Sequence, residues 1–107
     1  MYYEKIPKYK MANAKQELQD ILKDKAPIKC AVIYSEKKDA VLKLNYTESD
    51  YEKFLNEIDF DYDSGYGSQE LGGIVWLDGG TWLSRGEYDG SEWWNHHVLP
   101  AIPAECL

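Results

Sequence analysis

The residues with the clearest chemical potential are the carboxylates of one polar stretch, DFDYDSGYGSQE, at residues 59–70. Asp59, Asp61, Asp63 and Glu70 stand at positions 1, 3, 5 and 12 of this twelve-residue window. The same spacing is used by the ligands of an EF-hand calcium loop, in which the last glutamate binds the ion through both carboxylate oxygens. One interpretation of the stretch is therefore a small calcium- or ligand-binding module.

Two features of the same stretch favour other interpretations. Position 6, where the sharp turn of a calcium loop requires glycine, is Ser64, and the following run LGGIVWL is typical of a strand rather than a helix. Phe60 and Tyr62 alternate with the acids, which is typical of an extended segment with one wet face. The sequence thus leaves three possibilities open: a solvated acidic loop, a binding surface for a basic partner, and a calcium site.

The distribution of charge favours a basic partner. The net charge is −7, yet residues 1–30 hold seven lysines against four acids. Residues 47–92 hold twelve acids against only Lys53 and Arg85. Such an asymmetry bears on the choice of partner, because complementary charge selects partners and speeds association. It argues against nucleic acid as a direct ligand, since phosphate binding requires a basic footprint.

No other constellation points to a reaction. His96 and His97 are adjacent, so in a strand they face opposite sides and cannot chelate one ion. No CxxC or HExxH spacing occurs, and the serines and the two cysteines, Cys30 and Cys106, have no catalytic motif around them. We therefore predict no catalytic residues, no cofactor, two unbridged cysteines and a protein that is not an enzyme.

The elements that must position the acids follow from periodicity. The 107 residues predict one domain, 1–107, of the α+β class in the order α-β-β-α-β-β-β, with a mainly antiparallel sheet and helices packed on one face. Helix 1 is expected at Met11–Lys25, and helix 2 opens at residues 47–50, with Ser49 and Glu52 as a capping box. The strands are expected at Lys29–Tyr34, Ala40–Tyr46, Ile74–Leu77, Thr81–Tyr88 and Glu92–Val98, with a loop at Asp59–Gly73.

All four tryptophans fall in the last three predicted strands. Trp82 lies mid-strand between two Asp-Gly turns, so we predict that it is the most buried of the four and packs on helix 2. Trp93 and Trp94 must face opposite sides of the sheet. The one that faces away from the helices is expected to pack under the tyrosines of residues 1–10.

The sequence also bears on location. No apolar run approaches the ~18–20 residues that span a bilayer, so we expect no membrane association. The N-terminal run MYYEKIPKYK has no apolar core of the kind found in signal peptides. These observations predict an intracellular, cytoplasmic protein.

The run GYGSQELGGIVWLDGGTWLSRGEYDGSEWW resembles the C-terminal half of small uncharacterised proteins encoded by tailed phages and prophages. The resemblance covers residues 65–103 and lies in the GYGxQEL loop, the Trp-flanked Asp-Gly hairpin and the EYDGSEWW run. It implies a phage accessory protein acting in the host cytoplasm. Small acidic phage proteins are similar in general character to anti-CRISPR and other counter-defence inhibitors, several of which occupy basic nucleic-acid grooves.

Taken together, the charge and the resemblance predict a non-enzymatic acidic inhibitor. Its carboxylates would stand in for phosphates, as in a DNA mimic, and would bind the basic groove of a host protein that processes nucleic acid. The expected contact residues are acids and tyrosines of the same region: Glu57, Asp59, Asp61, Tyr62, Asp63, Tyr66, Glu70, Glu87 and Asp89.

Overall fold

A computed structural model of the chain describes residues 11–64, 69–88 and 90–107. It confirms an α+β fold with two helices and seven strands in antiparallel sheets. The elements are β1 Met11–Asn13, α1 Ala14–Leu22, β2 Ile28–Ser35, β3 Ala40–Leu42, α2 Glu48–Glu57, β4 Asp61–Asp63, β5 Leu71–Leu77, β6 Trp82–Tyr88, β7 Ser91–His97 and a 3-10 turn at Ala104–Cys106.

Five strands form the main sheet in the order β3-β2-β5-β6-β7, and β1 pairs with β4 in a separate two-stranded sheet. Side chains alternate between the two faces of the main sheet, because strand residues point to opposite sides in turn. Ile33, Val75 and Leu83 belong to the inner face and are at most 1% exposed. Leu18 from α1 and Phe54 from α2 join them in one hydrophobic core, so the helices cover this inner face.

Both helices begin at a polar cap. The Asn13 side chain accepts a hydrogen bond from the Gln16 backbone N–H at the start of α1. The capping box of α2 is formed by Thr47 and Asp50, each side chain binding the backbone N–H of the other. The predicted box of Ser49 and Glu52 is therefore displaced by two residues, because the helix begins earlier than its apolar stripe indicates.

Three predicted boundaries are corrected by long-range pairing. Helix 1 was expected from Met11, but Met11–Asn13 is extended and pairs with Asp61–Asp63 inside the predicted loop 59–73. That loop also ends early, since β5 begins at Leu71. The predicted strand Ala40–Tyr46 stops at Leu42, and Asn45 takes a positive φ of 60°.

The predicted burial of Trp82 is wrong. Leu83 and Arg85 occupy the inner face of β6, so Trp82 lies on the opposite face and stacks on His97 at 5.3 Å between ring centroids. Trp94 is the most buried of the four tryptophans, at 7% exposure. The prediction that Trp93 and Trp94 face opposite sides is confirmed, because Trp93 is 38% exposed. The expected cover from the tyrosines of residues 1–10 lies outside the described residues.

We call the face of the main sheet opposite the helices the outer face; it carries Trp76, Trp82 and Trp93. The described part of the chain contains no helix with the length and apolar character needed to cross a membrane. Cys30 and Cys106 are both free thiols, the first half-buried and the second exposed.

Candidate functional site: an acidic strip above a buried arginine

The side chains of strand β4 point alternately into the core and away from it. Tyr62 is 2% exposed and points into the core, whereas Asp61 is exposed and Asp63 is half-buried on the opposite side. We call Asp59, Asp61, Asp63 and Glu70 the acidic strip. Carboxylates two residues apart in a strand are about 7 Å apart along the chain, so Asp61 and Asp63 have about this spacing on β4.

One amide side chain fixes the first half of the strip. Nδ2 of Asn13 donates hydrogen bonds to Oδ1 of Asp59 at 3.0 Å and to Oδ1 of Asp61 at 3.1 Å. The same residue caps α1 through Oδ1 and ends β1, which pairs with β4. These two aspartates are therefore held relative to the helix and the small sheet rather than carried on a free loop.

Carboxylates converge at the other half of the strip. The pKa of Glu70 is raised from its ordinary value, first by desolvation and then by the negative charges of Glu36, Asp63 and Glu92. Lys37 acts in the opposite direction. Carboxylates in proximity each disfavour the ionisation of the others, so a cation from a partner would be favoured at this point.

Beneath the strip lies the chain's sole arginine, Arg85, whose side chain is 1% exposed. Its Nη2 donates to the Tyr62 hydroxyl at 2.7 Å and to Glu92 Oε1 at 3.2 Å. Its Nη1 donates to Glu17 Oε1 at 3.3 Å, and its Nε donates to the Leu71 carbonyl at 3.3 Å. The guanidinium is thus paired with two carboxylates and a phenol, which offsets the large cost of burying its charge.

The buried carboxylate of Glu92 links this arginine to the strip. Glu92 is fully enclosed, and it accepts the backbone N–H of Glu70 at 2.6 Å and that of Leu71 at 3.0 Å. Its own backbone N–H donates to the Ser64 carbonyl at 2.9 Å. The residues on both sides of the 65–68 segment are therefore fastened to β7.

Tyr62 corrects one predicted contact residue. Its side chain is buried, and its hydroxyl donates a hydrogen bond to Glu17 and accepts one from Arg85. Burial, followed by the hydrogen bond to Glu17, raises its pKa well above the ordinary value. Tyr62 therefore anchors the strip and is not positioned to touch a partner, because the alternation that exposes Asp61 turns Tyr62 inward.

The other predicted contact residues are dispersed. Glu57 lies in a groove of about 440 Å³ between β3 and α2, and its carboxylate is 3.9 Å from the Lys38 ammonium. Glu87 is exposed near the β6–β7 turn, where it accepts the Gly90 N–H at 2.9 Å. Tyr66 and Asp89 lie outside the described residues. Of the predicted contact residues that the structure describes, it brings together only the four members of the acidic strip.

The calcium interpretation stays a prediction, because residues 65–68 of the twelve-residue window lie outside the described residues. Residues 61–63 are a paired strand with Tyr62 turned inward, whereas the ligands of a calcium loop must curl around one ion. Within residues 11–64, 69–88 and 90–107, no group of three or more metal-ligating side chains could hold a metal ion.

Two lysines border the strip. The Lys15 ammonium lies 3.9 Å from Asp59, and the Lys37 ammonium lies over the Phe60 ring at 5.8 Å from its centroid. Such a long and partly exposed ion pair contributes little free energy, so a better-placed cation can displace it. The strip is therefore open to exchange of its lysines for the cations of a partner.

A serine and a histidine meet on the outer face, a contact that the sequence did not indicate. Ser84 Oγ lies 2.7 Å from His97 Nε2, while Trp82 stacks on the imidazole. The described residues supply no carboxylate to the second nitrogen of His97, as a nucleophile–base–acid set would require.

The central residue of the site, Arg85, was also missed. One signal in the sequence could have indicated it. Leu83 and Arg85 are two residues apart and so share a face of β6, and Glu92 and Trp94 share a face of β7 in the same way.

No family model matches the chain, and comparisons with curated proteins and with solved structures give no match either.

Proposed function

We propose that the chain is a non-enzymatic inhibitor whose acidic strip binds a basic, nucleic-acid-binding groove of a partner protein. The observation that carries the proposal is the fixed placement of carboxylates on β4. Tyr62 is fastened to the buried arginine, so Asp61 and Asp63 are directed to the opposite side of a short strand. Preorganised charge binds more tightly than charge on a free loop, because less conformational entropy is lost on association.

The charge of the strip sets the chemistry of the partner. Four carboxylates lie within a stretch of twelve residues, and the pKa of Glu70 is raised by desolvation and then by the negative charges of Glu36, Asp63 and Glu92. A groove lined by arginine and lysine would relieve this repulsion and would displace the loose pair between Lys15 and Asp59. A groove that normally binds phosphates has this character.

The biological setting of the proposal rests on the resemblance of residues 65–103 to phage and prophage accessory proteins. In that setting the partner is a host defence protein that binds nucleic acid, and the chain acts as an anti-CRISPR-like mimic of DNA in the host cytoplasm. The strip would occupy the phosphate-binding groove and exclude the nucleic acid. Inhibition would then be competitive with DNA or RNA and would weaken as salt screens the charges.

The test removes charge without changing shape. In the variant D59N/D61N/D63N the amide oxygens at positions 59 and 61 can still accept the hydrogen bonds of Asn13. We therefore expect the fold to be preserved while three charges are lost. The immobilised variant and the wild type are presented with lysate proteins from host cells that were first selected on heparin. We expect at least one protein to be retained by the wild type, released by duplex DNA and lost from the variant.

A matched control separates the strip from total charge. The variant D24N/E52Q/E105Q also loses three charges, at exposed acids outside the strip. It is expected to retain the same partner as the wild type and to inhibit its nucleic-acid binding equally. If both triple variants bind equally well, or if DNA does not compete, the strip is not the binding surface.

A further inference from the structure

The outer face of the main sheet is aromatic and unpacked by the described residues. Pairing places Trp76 beside Trp82 and Trp82 beside His97 in one row across β5, β6 and β7. Trp76 is 40% exposed and Trp93 is 38% exposed, while Val41 and Tyr34 on β3 and β2 are more than half exposed. The face therefore offers a broad apolar surface on the side away from the acidic strip.

The indole of Trp93 lies close against the outer face because residue 86, opposite it, is a glycine. Gly86 is its partner across the β6–β7 ladder, and a Cβ built on Gly86 would lie only 2.6 Å from Trp93 Nε1. The indole thus covers the backbone where the side chain of any other residue would stand. Its N–H donates to Asn95 Oδ1 at 2.9 Å, so it is not left without a partner. The result is a flat aromatic surface rather than a row of projecting rings.

The outer face carries no Asp, Glu, Lys or Arg at its cross-strand paired positions in β2, β3, β5, β6 and β7. Lys29, which is exposed in β2 at the register shift between Ile28 and Cys30, is not at a paired position. In the whole sequence 29% of residues are charged, and the net charge is −7. The paired positions of this face are thus poorer in charge than the composition of the chain.

We infer that the outer face pairs with the outer face of a second copy of this chain. In an interface with two-fold symmetry the same patch meets itself, so any charge on it would approach its own copy. The helical side carries the acidic strip and would repel a second copy with the same charge. The outer face is the surface on which a chain of charge −7 meets another without that repulsion.

The size of the face predicts a weak dimer. The five strands hold 32 residues, and a rise of about 3.4 Å per residue with strands about 4.8 Å apart gives a patch of roughly 520 Å² in projection. A standard protein–protein interface covers about 800 Å² on each partner. Two sheets packed in this way would lie about 10 Å apart and enclose the tryptophans of both copies.

This inference goes beyond the proposed function and does not depend on it. The acidic strips lie on the helical side of each copy, so a dimer through the outer faces leaves both strips open. Loss of the dimer would not by itself abolish the binding of a basic partner, and loss of that binding would not affect the dimer.

The test is sedimentation of the full chain over about 10 µM to about 1 mM, a span suited to a weak association. We expect the mass to rise from one chain towards two, with a matching loss of tryptophan quenching by acrylamide. Trp76→Lys introduces a charge on the central strand and should hold the chain as a monomer throughout. Val41→Lys, at a 56% exposed position on β3, makes the same test with little risk to folding.

Leu99→Lys is the control, since it makes the same change of charge at a 78% exposed residue beyond β7. It should dimerise like the wild type. A wild-type chain that stays monomeric at every concentration would overturn the inference. Shielded tryptophans in that monomer would show that the chain covers its own outer face. A dimer that persists undiminished in both Trp76→Lys and Val41→Lys would place the interface elsewhere and overturn it as well.

Discussion

The phenol of Tyr62 connects strand β4 to the buried arginine. It also makes the stability of the protein sensitive to high pH. Burial, and then the hydrogen bond to Glu17, raises its pKa above the ordinary tyrosine value of about 10. Above pH 10 the unfolded chain loses this proton while the folded chain keeps it. The free energy of unfolding should therefore fall as pH rises above about 10, whereas below that pH the stabilising contribution of Tyr62 is fully present and does not change with pH.

Tyr62→Phe should flatten this alkaline decline and cost about 1–2 kcal/mol at neutral pH through lost hydrogen bonds. Urea titrations between pH 7 and 11 measure both effects. Tyr88→Phe is the control, because Tyr88 is 77% exposed and its loss should leave the slope unchanged. Tyr46, whose pKa is also raised, remains in both variants and supplies a residual decline. Equal slopes in all three proteins would show that Tyr62 is not held as described.

The orientation of a side chain was predictable where it depended only on alternation within one strand. The opposite orientations of Trp93 and Trp94 followed from alternation alone. The burial of Trp82 and the exposure of Tyr62 were mispredicted, because alternation does not tell which of the two faces meets the core. That choice depends on Leu83, Arg85 and their partners on neighbouring strands.

At the scale of elements, Gly73 is a position where β5 lies close against the backbone of β2. It has a φ of +143°, and a Cβ built on it would lie 2.3 Å from the Val32 carbonyl oxygen. Gly73→Ala should therefore cost about 2–4 kcal/mol in the free energy of unfolding, because the contact is with backbone that cannot move aside.

The adjacent glycine provides the comparison. A Cβ on Gly72 would meet nothing within 4 Å, and its φ is not in the positive range. Gly72→Ala should be neutral, or stabilising by up to about 1 kcal/mol. Chemical denaturation of the two variants tests this difference. Similar stabilities would mean that β2 and β5 do not pack as tightly as described.

Elements with local signals were predicted well, and elements without them were missed. The apolar stripes of both helices and the Asp-Gly turns of the last three strands are each contained in a few neighbouring residues. Strands β1 and β4 have three residues each, and they pair Asn13 with Asp61 across 48 positions of the chain. No local pattern encodes such a pairing, so this segment was predicted as helix on one side and loop on the other.

The whole molecule has two sides of different character. The helical side carries the acidic strip above the buried arginine, and the other side is the outer face, whose paired positions are uncharged. The fold class was predictable, because it depends on the order of local elements. The site was predictable only in its acids, because the arginine cluster depends on the meeting of residues from α1, β4, β6 and β7.

The same arginine cluster has a consequence for folding kinetics. Arg85 binds Glu17 across 68 residues and Tyr62 across 23, so the cluster cannot form until most of the chain has been brought together. Contacts that require such long loop closures are expected to form late, after the transition state for folding. The cluster would then lower the rate of unfolding and would not be part of the folding nucleus.

Arg85→Met should lower the free energy of unfolding by about 3–5 kcal/mol, because it leaves Glu92 buried without its cation. Most of this loss should appear as faster unfolding, with refolding slowed little. Stopped-flow measurements over a range of urea separate the two rates, and Ile33→Val in the local β2–β3 hairpin provides a comparison. A refolding rate reduced by the whole loss would instead place the arginine in the folding nucleus. If unfolding carries the loss, this one buried cation sets the lifetime of the native state.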